Sequence, residues 1–239
     1  VTTPTGDHPY EHHHRSLQGG GARAAVFGMS DGLVTNVSLI LGVAGAHPGG
    51  SFVRLAGVAG LVAGAFSMAA GEYASMQAQR ELLERELDVE RQALRRSPDS
   101  EQRELSALYE SRGVEPDTAR ELAGEMMRDP DLALETHARE ELGVNPRQLG
   151  SPLQAAGASF VTFAFGALLP LLPWLFSAGN GALVASIVVA ALAATGLGAG
   201  LASFTGRSRV RSALRQLGLA VIAAGVTYGI GRLVGVSGA

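Results

Sequence analysis

Residues 148–206, bounded by Arg147 and Arg207, contain no Asp, Glu, Lys or Arg. That gap of 59 residues is long enough for two helical crossings of a bilayer at about 20 residues each. Residues 24–46 form another apolar run of membrane-spanning length, holding one carboxylate, Asp31. Two further uncharged runs lie between Arg54 and Glu72 and between Arg215 and Arg232. These runs predict an all-α polytopic membrane protein with five transmembrane helices, near residues 24–46, 52–71, 153–176, 182–204 and 213–234.

Charge is concentrated between the second and third spans. Residues 72–147 hold 19 of the 22 acids and 11 of the 19 basic residues, net −8, against +5 for the rest of the chain. Helix formers run on without Gly or Pro from Glu72 to Pro98, so the second span should continue as one helix beyond the membrane. Short helices at 101–112, 116–128 and 131–142 then follow from the breaks at Gly113, Asp129-Pro130 and Gly143. The expected organisation is a polar leader at 1–22, spans one and two at 23–78, an acidic helical insert at 79–147, and spans three to five at 148–239. The leader has no apolar signal-peptide core, and insertion is expected to be directed by the first span. Its His12, His13 and His14 read as a solvated tail or an adventitious metal binder.

Five spans put the termini on opposite sides. The arginines at 207, 209, 211 and 215 mark their loop as cytoplasmic, which places the leader and the insert in the cytoplasm too. The hairpin joints at 47–51 and 177–181 fall opposite. Pro170 and Pro173 predict a kink in the third span, and Trp174 reads as an interfacial anchor. Glycines four apart (Gly28 and Gly32, Gly60 and Gly64, Gly196 and Gly200, Gly225 and Gly229) offer close helix approach.

With no cysteine, any metal must be held by oxygen, imidazole or thioether. All basic residues are arginine, and the negative balance argues against a nucleic-acid partner. An intramembrane acid is expensive unless something specific holds it, so Asp31 is a candidate site; Arg23 or water is its bland partner. Met68 offers a thioether in span two, and Glu72 lies four residues on, on the same face. In the insert, Glu86 and Glu90 share a helix face, as do Glu101 and Glu104, and hard oxygen ligands suit divalent iron, manganese or magnesium. A ferritin-like oxidase would need Glu-x-x-His pairs, but the insert's one histidine, His137, follows Leu134 at that spacing. No nucleophile triad, phosphate loop or dinucleotide fingerprint is present, so no enzyme and no prosthetic group are expected.

The segments SDGLVTNVSLILGVAGA, GLVAGAFSMAAGEYAS, an Arg/Glu-rich helix, EELGV and FGALLPLLPW resemble, in that order, the vacuolar iron transporter family and its bacterial relatives. The resemblance runs from about Ala24 to the C-terminus. It implies a homodimer with a cytoplasmic metal-binding insert, exporting Fe²⁺ and similar ions such as Mn²⁺ from the cytosol against protons. For a bacterial-type member it also implies the cell membrane. Asp31 and Met68 match the family's pore aspartate and methionine; Glu90, Glu101, Glu104 and Glu141 match its metal-binding glutamates. This chain departs from the family at Ala24 and Gly60, where well-known members carry acids. It departs also at Ala93, and at His137 and Ala138 in place of a methionine pair; His137 remains able to ligate a borderline metal. The alternative is a membrane-anchored metal-binding or sensing protein with a degenerate pore, and a third possibility is a scaffold that binds no metal.

Overall fold

Prolines open the helices of this chain more often than they end them. The computed structural model describes residues 20–46, 49–146 and 150–237. Its helices are α1 (Gly20–Gly45), α2 (Gly50–Arg96), α3 (Pro98–Ser111), α4 (Pro116–Met126), α5 (Pro130–Glu140), α6 (Pro152–Phe176), α7 (Gly179–Thr205) and α8 (Arg209–Ser237). Pro98, Pro116, Pro130 and Pro152 each stand in a first helical turn, where the missing N–H is no loss. Glu115 and Asp129 cap α4 and α5, each accepting two backbone N–H groups at 2.8–3.0 Å. Ser151 caps α6. Gly206, at φ 65°, turns the chain from α7 into α8. The leader histidines His12, His13 and His14 lie outside the described residues.

Helices α1, α2, α6, α7 and α8 are each long and apolar enough to cross a membrane, as the charge pattern predicts. Helix α1 is the hub, packed against all four of the others. Its seam with α6 is closed by glycine. A β-carbon on Gly28 would stand 2.8 Å from the Ser159 carbonyl, and one on Gly32 or Gly166 would collide with backbone of the facing helix. Asn36, fully buried, ties the same two helices through Nδ2–H donated to the Ala167 carbonyl at 2.6 Å. On the other flank, α8 meets α1 through Gln216, which donates to Ser30 at 2.5 Å, and Thr227, which donates to the Ser38 carbonyl at 2.8 Å.

The glycine pairs divide. Gly28, Gly32, Gly60 and Gly64 face neighbouring helices, whereas Gly196, Gly200, Gly225 and Gly229 have nothing within contact distance. Trp174 also differs from expectation. Instead of anchoring at an interface it is buried with Ile40, Val53, Leu171 and Ala182, because the tight α1–α2 hairpin brings Gly50 beside it. Helix α6 runs through both internal prolines to Phe176, and Ser186 donates to the Pro170 carbonyl at 2.6 Å.

Helix α2 does not stop at the end of its apolar part. It runs unbroken for 47 residues in all, and its charged half packs against α3 and α5 of the acidic insert, with α4 set against α3. Arg112 pairs with Glu140, joining the C-terminal ends of α3 and α5.

Candidate metal sites in the membrane cleft and the insert

Two groups of side chains have metal-ligating chemistry, and α2 contributes to both. The first lies between α1, α2 and α6, in a cleft of about 340 Å³. Asp31 and Thr35 come from α1, Met68 and Glu72 from α2, and Phe163 from α6. The sequence supplies this arrangement simply: Asp31 and Thr35 are one helical turn apart, as are Met68 and Glu72, so each pair shares a face. Asp31 accepts a hydrogen bond from the Thr35 hydroxyl at 3.2 Å.

Arg23 does not pair with Asp31. Its guanidinium meets Glu72 at 2.9 Å, with the Glu72 side chain 11% exposed and that of Arg23 66% exposed. Glu72 is thus a member of the cleft, twelve residues from Gly60 but close to Met68 and Asp31. The missing acids read differently in three dimensions. Ala24 does not line the cleft; it is packed with Met76 and Ala155. Gly60 lies deeper, against Leu39 and Asn36, whose Oδ1 is 2.9 Å from where a β-carbon would stand. The Phe163 ring covers Gly64 in the same way. Of these residues, Gly64 and Phe163 line the cleft.

The second group is in the insert. His137 of α5 is fully buried, and its Nδ1 lies 2.8 Å from Glu141 Oε1 and 3.2 Å from Glu90 Oε1. Ligand atoms of Glu90, Glu101 and His137 all fall within 4.8 Å of one another. Helices α2, α3 and α5 therefore converge on one point. Burial, with the neighbouring Glu141, raises the Glu90 pKa above the ordinary glutamate range, and His137 opposes that shift. Burial and then Glu104 raise that of Glu101. These interactions put Glu104 and Glu141 in the field of the same cluster. Glu86, on the same face of α2 as Glu90 by spacing, stays exposed.

His137 Nε2 is buried without a hydrogen-bond partner, and the buried Glu90 Oε1 has only its 3.2 Å contact with His137 Nδ1. Buried polar atoms are normally satisfied, and a carboxylate-rich cluster with open acceptor capacity suits a cation. Oxygen plus one imidazole accommodates Fe²⁺ or Mn²⁺. The structure thus brings together the insert residues singled out in the sequence, and separately joins Asp31 to Met68. Arg23 and Thr35 were not among the candidates. Thr35 was legible from its spacing to Asp31; the pairing of Arg23 with Glu72 spans 49 positions and leaves no local signal.

Comparison with known proteins places the chain in a family. A family profile described as the VIT family matches residues 22–232. A vacuolar iron transporter of Acanthamoeba castellanii is 35% identical over 92% of this chain and 82% of its own length. Vacuolar iron transporter 1 of Eucalyptus grandis is 30% identical over 89% of this chain and 86% of its own. The Arabidopsis thaliana protein of the same name is 29% identical over 95% and 91%.

Proposed function

Because this chain belongs to the VIT family, whose members are metal-ion transporters and not enzymes, we propose that it exports Fe²⁺, with Mn²⁺ as a second cargo, from the cytosol in exchange for protons. The observation that carries the proposal is the cleft, where Asp31 and Met68 share one space at the end of the bundle from which the insert projects. A carboxylate with a thioether favours a borderline ion such as Fe²⁺ over Mg²⁺. The insert, residues 79–147, collects the ion through Glu90, Glu101 and His137, with Glu104 and Glu141 beside them. Carboxylates that release a cation take up protons, which supplies the exchange.

In this reading the leader and the insert face the cytosol, and the protein resides in the cell membrane. The protein works as a homodimer. The cleft is open along one flank, where Phe27 is exposed, and a second copy placed there would set its own Asp31 opposite the first. Two facing carboxylates would then match a divalent charge.

The test is Fe²⁺ flux into proteoliposomes with a pH-sensitive dye inside. Asp31→Ala should abolish both the flux and the coupled pH change while the protein still assembles. Full transport by that variant overturns the pathway. Wild-type flux without any proton movement overturns the exchange alone. The close packing of Leu39 and Asn36 against Gly60, and of Phe163 against Gly64, favours a second reading, a metal-binding membrane protein with a sealed pore. That reading requires metal binding by the full chain with no flux at all.

A further inference from the structure

Among the described residues that line the cleft, Asp31 and Glu72 are the charged ones, and they differ in one respect. Glu72 already holds a cation. Arg23, in the first turns of α1, reaches across to α2 and binds one oxygen of the Glu72 carboxylate at 2.9 Å. The carboxylate is turned inward and its partner outward, with side-chain exposures of 11% and 66%. Along α2, Met68 lies about 6 Å deeper than Glu72; along α1, Asp31 lies about 12 Å deeper than Arg23. An ion arriving from the side of the insert therefore meets the Arg23–Glu72 pair before it meets Met68 or Asp31.

The pair is not needed to hold the helices together. Ala24, Met76 and Ala155 are buried against one another beside it, and ion pairs with an exposed partner contribute on the order of 0–1 kcal/mol. It is therefore easily opened. A divalent cation offers Glu72 twice the charge of a guanidinium, whereas Na⁺ or K⁺ offers no more charge than Arg23. Accordingly, we propose that Arg23 is a tethered competitor: it occupies Glu72 until a divalent cation displaces it, and so filters incoming ions by charge at the mouth of the cleft. Arg23 acts through Glu72 and touches no transported ion.

This inference rests on the cleft being the transport pathway, and its test separates the two. Full-length protein in proteoliposomes is assayed for Fe²⁺ flux, with and without excess K⁺ outside, as wild type, Arg23→Gln, Arg23→Lys, Glu72→Gln and the Arg23→Gln/Glu72→Gln double variant. Freed of its competitor, Glu72 should lower the apparent KM of Arg23→Gln by about threefold to fivefold, the worth of an exposed ion pair, with little change in maximal rate. K⁺ should inhibit that variant more than wild type. Arg23→Lys, which restores a cation at this position, should return both properties toward wild type. In the Glu72→Gln background the Arg23 substitution should have no further effect. An unchanged KM in a folded Arg23→Gln protein overturns the proposal, as does an equal Arg23 effect with Glu72 already removed. If Asp31→Ala is inactive while Arg23→Gln matches wild type, only the filter fails. If Asp31→Ala transports normally, the pathway beneath it fails.

Discussion

Asp31 stands between glycine and phenylalanine walls with one hydroxyl partner, Thr35, whereas Glu90 shares a buried histidine with Glu141 and lies in the field of Glu101 and Glu104. The first surrounding has few ligands and an open flank. The second has many ligands drawn from three helices. A pathway must bind an ion well enough to admit it and weakly enough to let it go. A site that gathers a scarce ion has no such limit, and dense carboxylates serve it. The contrast fits the proposed division, with capture in the insert and passage through the cleft.

The strongest way to break this division is to disarm the insert alone. Glu90→Gln with Glu101→Gln should weaken metal binding by the full-length protein about a hundredfold, as two charged contacts of about 1.4 kcal/mol each are lost. Flux at saturating Fe²⁺ should survive, with a raised apparent KM. Abolished flux at saturation would show that the two sites act as one. The reverse experiment distorts the cleft. A β-carbon on Gly32 collides with the Phe163 backbone, so Gly32→Ala should destabilise the α1–α6 seam by about 1–3 kcal/mol. It should cut flux and leave calorimetric binding at the insert unchanged.

Acidity should act on the insert. The pKa values of Glu90 and Glu101 are raised, so protons compete with metal there in the window from 4.5 up to their folded values. Metal affinity should rise with pH across that window, by up to about tenfold per pH unit for each proton displaced. Without metal the sign reverses. The folded state binds more protons than the unfolded chain in this window, so these two groups make the metal-free protein less stable as pH rises. Thermal unfolding with and without Mn²⁺ should therefore show a metal-induced gain that grows with pH.

Smaller effects sharpen the cleft. Met68→Leu keeps the volume and removes the thioether, and should shift preference from Fe²⁺ toward Mg²⁺ by roughly threefold in a competition flux assay. Gly225→Ala, on an outward face of α8, should change the unfolding midpoint negligibly, within about 0.5 kcal/mol of stability.

Much of this architecture was legible because lipid punishes charge. The five spans, the long reach of α2 and the three short insert helices follow from where charges, prolines and glycines fall. Asp31 stood out for the same reason. Azimuth was not legible. A span apolar on every side gives no periodic cue to which face meets protein and which meets lipid, so Gly32 and Gly225 look alike in sequence and behave oppositely in the fold. Trp174 was misplaced on the same account: its type suggests an interface, while its neighbours Ile40 and Val53 bury it. Ala24, which departs from the acid of well-known family members, is part of an apolar contact with Met76, a pairing 52 positions apart that leaves no local signal. In the insert, helical spacing marked Glu90 and Glu101, and the family resemblance brought in His137, before their helices were known to converge.

The unbroken course of α2 fixes a phase as well as a distance. Glu72 and Glu90 are separated by 18 residues, five full turns at 3.6 residues each, which places them on one line of the helix about 27 Å apart. The carboxylate at the mouth and the carboxylate of the collecting site are thus keyed to a single shaft. One residue added between them would swing one away from the other by about 100°, whereas seven would nearly restore the alignment. The spacer can change in length only by steps that return the helix to the same heading.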